Sequence, residues 1–181
     1  MKTLVYMVRL LDGLSERVGR AVAWLTLGMV LVTFAVVVLR YVFNVGWIAM
    51  QESVTYMHSL VFLLGAAYTL RHDGHVRVDI FYRKMGPRTQ AWIDLFGALF
   101  LLTPVCVAIV WVSWGYVAAS WSLLEGSRET GGLPGVFLLK STILAMAALM
   151  ILQGLSQSAH SALVLLGHPE YAPEHDGTRE V

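Results

Sequence analysis

The sequence predicts an all-α membrane protein with four transmembrane helices plus short interfacial amphipathic helices. Four apolar stretches fill most of the 181 residues. An α-helix rises about 1.5 Å per residue, so about 20 apolar residues cross the hydrocarbon core of a bilayer. Of the residues, 57% are hydrophobic and only 14% are charged, compared with about 25% charged in soluble domains. We expect one membrane domain over residues 1–167, with spans at about 21–41, 51–70, 91–120 and 134–164.

The first span is the clearest, because the stretch from Ala21 to Leu39 contains no charged residue. The segment before it, residues 1–20, has scattered charges and lacks the cleavage pattern of a signal peptide. Its apolar residues recur with a helical period. The segment is therefore predicted either as an amphipathic helix in the membrane interface or as a cytoplasmic extension of the first span, and both alternatives stay open.

The distribution of Lys and Arg predicts the orientation. Nine of them lie in the N-terminal segment and in the connection between spans two and three, whereas the other two connections have one each, Arg40 and Arg128. By the positive-inside rule, both termini and the middle connection are expected in the cytoplasm. The polar tail, residues 168–181, is expected to be disordered.

Turn residues predict further local features. The middle connection, residues 71–90, mixes apolar and charged side chains, which is typical of a short interfacial helix. Gly86-Pro87 is expected to end this helix and begin the third span. Pro104 is expected to kink the third span, and Pro134 to open the fourth.

Ionisable residues inside the spans are functional candidates, because a charge in hydrocarbon is costly. Glu52 lies at the outer start of the second span, and Lys140 lies about two turns into the fourth, at similar depth. We therefore predict an ion pair between Glu52 and Lys140. The competing partners of Lys140 are Glu125, Glu129 and the lipid head groups.

The sequence predicts no catalytic residues, no cofactor-binding residues and no metal ligands. Two ligands of one haem iron must lie at one depth, but His58 is expected in the outer half and His160 near the inner surface. Cys106 is expected to pack as a small apolar residue. Asp94, the nearest candidate for the buried carboxylate of an exporter, lies close to the cytoplasmic edge. A scaffold or accessory subunit without enzyme activity is favoured over two alternatives, a membrane anchor subunit of a redox complex and a small homodimeric exporter.

A series of short motifs runs in order along residues 15–165. Its members are Arg40-Tyr41-Val42-Phe43-Asn44, Trp47, Gln51-Glu52, Leu64–Arg71, Gly74-His75-Val76-Arg77-Val78-Asp79, Glu125-Gly126-Ser127, Thr130–Pro134, Lys140 and Gln153-Gly154-Leu155. In order, spacing and topology this series resembles the small membrane subunit of the tripartite ATP-independent periplasmic (TRAP) transporters, the DctQ-like family. The family often has two acidic residues where this chain has Gln51-Glu52, so only Glu52 keeps its charge here.

The resemblance implies a multi-pass protein of the bacterial inner membrane that binds a large multi-span permease subunit. In this family the permease holds the substrate and sodium sites, and a periplasmic solute-binding protein delivers the solute, commonly an organic acid. The sodium gradient drives uptake, and the small subunit braces the immobile part of the permease. The resemblance implies no cofactor on this chain and no nucleic acid partner.

The resemblance also carries five positions over to this chain: Arg40, Glu52, His75, Arg77 and Asp79. Together with Lys140, they form the predicted set of partner-contacting or structural residues. Arg77 and Asp79 are two residues apart, so on a helix they would not face each other and are expected to bond separate neighbours.

Overall fold

The protein is described by a computed structural model over residues 2–76, 79–82 and 84–168. All regular elements in these residues are helical. They are α1 (Lys2–Tyr41), α2 (Ile48–Arg71), α3 (Asp79–Tyr82), α4 (Pro87–Phe96), a π-helical segment (Gly97–Leu102), α5 (Thr103–Ser122) and α6 (Val136–Leu165). The predicted all-α fold is confirmed. Of the predicted tail, only His168 lies inside the described residues.

Four helices of the described chain are long and apolar enough to cross a membrane: Val5–Tyr41, Ile48–Arg71, Pro87–Ser122 and Val136–Leu165. The first of these helices shows which of the two alternatives for the N-terminal segment is correct. Helix α1 is one continuous helix of 40 residues. Its length is about 60 Å, twice the hydrocarbon thickness of about 30 Å. The N-terminal segment therefore extends the first span and is not a separate helix.

The third span is one long helix with an irregular turn in its middle. Pro87 occupies its first turn, where a missing backbone N–H is not needed. The irregular turn is the π-helical segment directly before Pro104. A proline ring clashes with the carbonyl four residues earlier in a regular helix, and the wider π turn relieves this clash. Thr103 Oγ1 donates to the Ala98 carbonyl at 2.8 Å, which satisfies an acceptor of that turn.

The connections differ in detail from the expectation. The middle connection contains a short helix, α3, as expected, but α3 ends at Tyr82, four residues before Gly86, and α6 begins at Val136 and not at Pro134. Lys140 is consequently the fifth residue of α6, one turn from its start and not two. Gly135, which precedes the helix, has a φ of −145° and a ψ of 22° and so lies outside the helical conformation.

Small residues allow the helices to approach closely. A Cβ at Gly19 of α1 would lie 2.3 Å from the Tyr68 ring of α2, so these helices touch at a position that only glycine permits. Ala67 of α2 and Ala147 of α6 are buried, with 1% and 0% exposure. Such residues are typical of helix interfaces in membranes, where close backbone packing replaces a hydrophobic driving force.

Spans α1 and α2 run antiparallel, as do α5 and α6, whereas α2 and α6 run parallel, and together the spans give the bundle two ends. We call the end with the α1–α2 and α5–α6 connections the loop end. The opposite end, with the start of α1, the end of α2 and the end of α6, is the terminal end. Contacts across the bundle define both: Glu52 reaches Leu133 at the loop end, and His160 reaches Asp12 at the terminal end. Helix α6 packs against α1, α2, α4 and α5 and is the centre of the bundle.

Candidate functional site

Glu52 fastens the α5–α6 connection to α2 at the loop end. Its carboxylate accepts a hydrogen bond from the Ser127 hydroxyl and another from the backbone N–H of Leu133, the latter at 2.7 Å. Gly132 lies so close that a Cβ there would meet Ser127 at 2.4 Å and Glu52 Oε2 at 2.8 Å. The connection therefore needs glycine at this position to wrap around the carboxylate. The Glu52 carboxylate thus binds two separate positions, Ser127 and Leu133, of the α5–α6 connection, and the second is about 80 residues further along the chain.

Lys140 forms a second cluster beside the first. Its Nζ lies 2.5 Å from Glu125 Oε2, and the two side chains are 14% and 28% exposed. Ser120 Oγ donates to the same carboxylate oxygen at 2.7 Å, and the ammonium also lies 3.9 Å from the centre of the Tyr116 ring. The hydrogen bond from Lys140, supported by that from Ser120, lowers the pKa of the Glu125 carboxyl below its ordinary value.

The predicted ion pair between Glu52 and Lys140 is therefore not formed in the described structure. Lys140 pairs with Glu125, one of its expected competitors, because α5 and α6 are antiparallel neighbours and Glu125 lies three residues after the end of α5. Glu52 bonds the connection itself. Both residues lie near the starts of their helices at the loop end, but this position alone did not identify which acidic residue points toward the lysine.

A third cluster, which sequence reasoning missed, joins α1 and α6 at the terminal end. Asp12 Oδ1 accepts hydrogen bonds from Ser156 Oγ at 2.6 Å and from Gln153 Nε2 at 3.2 Å. Asp12 Oδ2 lies 3.0 Å from His160 Nε2, and Ser15 Oγ donates to Gln153 Oε1 at 2.6 Å. The exposures of Ser15, Gln153 and Ser156 are only 2%, 3% and 0%. This Asp12 cluster is a buried hydrogen-bond network between the two helices.

One signal in the sequence points to the Asp12 cluster. Gln153, Ser156 and His160 are spaced by three and four residues, which places them on one face of a helix. A polar stripe on an otherwise apolar helix indicates a polar partner, and Asp12 on α1 is that partner. His160, considered from the sequence only as a haem ligand, belongs to this stripe and contacts Asp12.

Arg71 ties the end of α2 to the same part of α1. Its Nη1 donates to the Asp12 carbonyl at 2.9 Å and to Glu16 Oε2 at 2.5 Å. Glu16 also accepts from Arg20 Nε at 2.6 Å, and His72 Nε2 lies 3.4 Å from it. The terminal end is thus held by the Asp12 cluster between α1 and α6 and by these ion pairs between α1 and α2.

The six predicted residues do not form one site. Glu52 and Lys140 lie in neighbouring clusters at the loop end, and Arg40 is in the last turn of α1. His75 is exposed in the connection after α2, at the opposite end of the bundle. Arg77 lies outside the described residues, and Asp79 is the first residue of α3.

The residues weighed for a haem or an exporter have other neighbours. His58 stacks on Phe62 within α2, with ring centres 6.3 Å apart, whereas His160 lies at the terminal end against Asp12. Asp94 is buried and accepts a hydrogen bond from the Tyr82 hydroxyl at 2.7 Å. Among the described residues, no group of three or more His, Cys, Asp and Glu side chains has an arrangement that could hold a metal ion.

Comparison with known families identifies the chain. A sequence profile of the tripartite ATP-independent periplasmic transporters, DctQ component, matches residues 29–163. The chain belongs to the DctQ family. No curated protein and no solved structure matches it significantly. The chain is therefore the small membrane component of a TRAP transporter and a multi-pass membrane protein, and its family is one of transporter components, not of enzymes.

The residues matched by the family profile include some of the polar clusters of this DctQ chain and only part of the others. Both loop-end clusters lie inside the matched residues, whereas Asp12, Ser15 and Glu16 precede residue 29. The matched partners on α6 and α2, such as Gln153 and Arg71, therefore bond a segment of α1 that the family profile does not cover. The terminal-end network is a feature of this chain that the family assignment alone does not describe.

The surface of the DctQ chain is strongly apolar along its spans. Trp24 on α1 and Trp111 on α5 are 74% and 83% exposed, and many large aliphatic side chains are exposed with them. Isolated soluble proteins rarely expose contiguous patches of this kind. The surface is suited to hydrocarbon or to the apolar surface of another membrane subunit.

Proposed function

We propose that this DctQ chain braces the large permease subunit of a TRAP transporter in the bacterial inner membrane. The permease would hold the solute and sodium sites, and a periplasmic binding protein would deliver a small solute of the organic acid class. In this arrangement both termini of the chain face the cytoplasm, in line with the uneven distribution of Lys and Arg. The chain itself carries no cofactor and no reaction in this proposal.

The observation that carries the proposal is the placement of the charged groups. In the described part of the chain, the acidic side chains Asp12, Glu52 and Glu125 are all engaged at the two ends of the bundle, by hydrogen bonds that join different elements. The middle of the described spans contains no Asp, Glu, Lys or Arg, and His58 is the one histidine there. Such an arrangement makes a rigid bundle that has no chain of polar groups along which a solute or ion would pass.

The rigidity has a physical basis in these contacts. Each end is fixed by bonds between helices that are distant in sequence, such as Glu52 with Leu133 and Asp12 with Ser156. Hydrogen bonds to a partly buried charged group such as Asp12 are worth about 1.5–3 kcal/mol each. A bundle held at both ends, with an apolar outer surface, is suited to support another membrane subunit while part of that subunit moves.

Co-purification is the first test. A tagged copy of the chain would be extracted from native membranes with a mild detergent, and the proteins that accompany it identified and quantified by mass spectrometry. We expect a larger multi-span permease in near-equal amount. Recovery of the chain alone, or with haem or redox subunits, would contradict the proposal and favour the anchor alternative.

Reconstitution tests the bracing and the energy source. The permease, with and without this chain, would be placed in vesicles together with the binding protein, and solute uptake measured with an inward sodium gradient. We expect uptake only with both subunits and only with the gradient. Equal uptake by the permease alone would contradict a bracing role, and uptake without sodium would contradict the proposed energy source.

A further inference from the structure

A groove of about 530 Å³ lies between α1 and α2. Ala23 of α1 and Val61 and Phe62 of α2 line it, and Met146 of α6 contributes from the centre of the bundle. Its volume falls within the range of about 300–1,000 Å³ that is typical of ligand sites. The groove is mostly apolar and belongs to none of the three polar clusters.

Two glycines explain why the groove exists. The helices touch where Gly19 faces the Tyr68 ring, since a Cβ at residue 19 would lie only 2.3 Å away. At Gly65, one turn of α2 away, an added Cβ would meet no atom within 4 Å. Helices α1 and α2 are therefore in contact at one level and leave open space at the next, which Gly65 keeps free of side chains.

The groove has a basic end. His75, which follows α2, is part of its lining. Arg20 lies three residues before Ala23 and so on the same side of α1, and its side chain is 76% exposed. Arg20 and Arg71 share one carboxylate, Glu16, at 2.6 Å and 2.5 Å. Two guanidinium groups face this one carboxylate, so the side chains of Arg20, Arg71 and Glu16 together carry a net positive charge.

We propose that the groove binds an anionic phospholipid, with one acyl chain along the apolar walls and the phosphate at the basic end. A groove in a membrane-spanning surface is filled by hydrocarbon, and Phe62, at 72% exposure, offers an acyl chain an aromatic wall. Basic pockets between transmembrane helices bind anionic head groups. The guanidinium of Arg20 is suited to a phosphate, because it presents several donors in a planar fork.

Charge complementarity favours a lipid over a helix of a partner protein. A partner helix would fill the apolar walls equally well but would not by itself place an anion beside Arg20 and His75. A phospholipid supplies both parts in one molecule, because its phosphate is attached to the acyl chains. The proposal concerns this chain's own groove and does not depend on the permease or on the transported solute.

Native mass spectrometry of the complex tests the proposal. The complex purified from membranes would be exchanged into vesicles of equal parts phosphatidylglycerol and phosphatidylcholine, extracted again, and its bound lipid measured. We expect phosphatidylglycerol to be retained in preference to phosphatidylcholine. Gly65→Leu, which fills the groove, should abolish this retention. Gly115→Leu adds the same side chain at an exposed position of α5, away from the groove, and should leave retention unchanged.

A second variant keeps the test informative if Gly65→Leu does not fold. Arg20→Gln leaves the apolar walls intact and should weaken retention of phosphatidylglycerol by roughly fivefold, the factor expected for one basic residue facing an anionic surface. Equal retention of the two lipids, or identical retention by wild type, Gly65→Leu and Arg20→Gln, would overturn the proposal. A photoreactive residue in place of Phe62 that cross-links to protein and not to lipid would overturn it in favour of a partner helix.

Discussion

Replacement of Asp12 by alanine is the sharpest test of the terminal-end network. The substitution removes the acceptor of Ser156 and Gln153 and the partner of His160. Ser156 and Gln153 are 0% and 3% exposed, so water does not readily replace the lost acceptor. We expect α1 and α6 to separate at this end more easily than in the wild type.

The magnitude follows from the buried donors. A buried donor left without its acceptor costs about 1–3 kcal/mol. The Ser156 hydroxyl can instead donate to a backbone carbonyl of its own helix, as serines in helices often do. The free-energy cost of losing its acceptor therefore lies at the lower end of this range. With the amide of Gln153 and the contact to His160, we expect Asp12→Ala to lower the free energy of unfolding by about 3 kcal/mol.

Asp12→Asn separates the hydrogen bonds from the charge. The asparagine oxygen still accepts from Ser156 and Gln153, and its amide can donate to His160 Nε2 in the ring tautomer that leaves this nitrogen as an acceptor. We therefore expect Asp12→Asn to cost only about 1 kcal/mol, the typical net value of a single hydrogen bond. A stability that rises from Asp12→Ala through Asp12→Asn to the wild type is what a fully hydrogen-bonded polar network predicts.

Thermal unfolding of the solubilised complex, followed by tryptophan fluorescence, is the assay. At about 2–4 °C per kcal/mol for a chain of this size, Asp12→Ala should lower Tm by about 6–12 °C. Glu129→Ala is the matched control, because it removes an acidic side chain at an exposed position of the α5–α6 connection. The network predicts that Asp12→Ala lowers Tm by about 6 °C or more relative to the control. A Tm for Asp12→Ala within about 1 °C of the control would refute the reasoning.

Three further predictions concern the other contacts. Glu52→Gln weakens the charge-assisted bond to the backbone of the loop, so hydrogen exchange at the Leu133 amide should become faster, as measured by mass spectrometry. Lys140→Met removes the main cause of the lowered Glu125 pKa, so infrared titration should detect protonation of this carboxyl at higher pH. Gly19→Ala places a Cβ 2.3 Å from an aromatic ring of α2 and should lower stability by about 1–3 kcal/mol, read as a drop in Tm.

Each of these predictions has a matched control. Glu129→Gln should leave the exchange rate at Leu133 unchanged, and equal rates in the two variants would contradict the role of Glu52. Lys140→Arg keeps the cation, so the Glu125 titration should stay near that of the wild type; a wild-type titration in Lys140→Met would contradict the assigned pairing. Gly65→Ala adds the same methyl group where an added Cβ meets no atom, and a Tm as low as that of Gly19→Ala would refute the packing argument.

The pH dependence of the Lys140–Glu125 pair has a definite sign. The pKa of Glu125 is lowered in the folded protein, so the folded state holds this carboxyl ionised more firmly than the unfolded state does. The contribution of the pair to stability is fully present above the ordinary carboxyl pKa and is lost as the pH falls through the lowered value. We therefore expect acidification to weaken the loop end, and Lys140→Met to lose this part of the acid sensitivity.

The elements of the fold were predictable because their signals are local. A run without charges, such as Ala21 to Leu39, must be a helix in hydrocarbon, since only a helix satisfies its own backbone there. Pro87 at the start of the third span was likewise evident from its position after glycine. The helix boundaries were less certain: α6 starts at Val136, because Pro134 and Gly135 complete the preceding connection.

The partners of the charged residues were not predictable in the same way. Sequence and depth placed Glu52 and Lys140 at one end of the bundle, but Lys140 has Glu125 as its partner. The rotation of each helix and the path of the α5–α6 connection decide which carboxylate faces the ammonium. Helices that are apolar nearly all round give little information about that rotation.

By itself, the sequence determined the all-α class, the number of spans and the resemblance to the DctQ family, since each depends on composition and on the order of motifs along the chain. Only the tertiary structure decided that α1 is continuous from Lys2, that Asp12 bonds Ser156, and that Gly65 opens a groove beside Arg20. The physical reason is that hydrophobicity acts on each segment separately, whereas hydrogen bonds and grooves depend on how segments distant in sequence are turned toward one another.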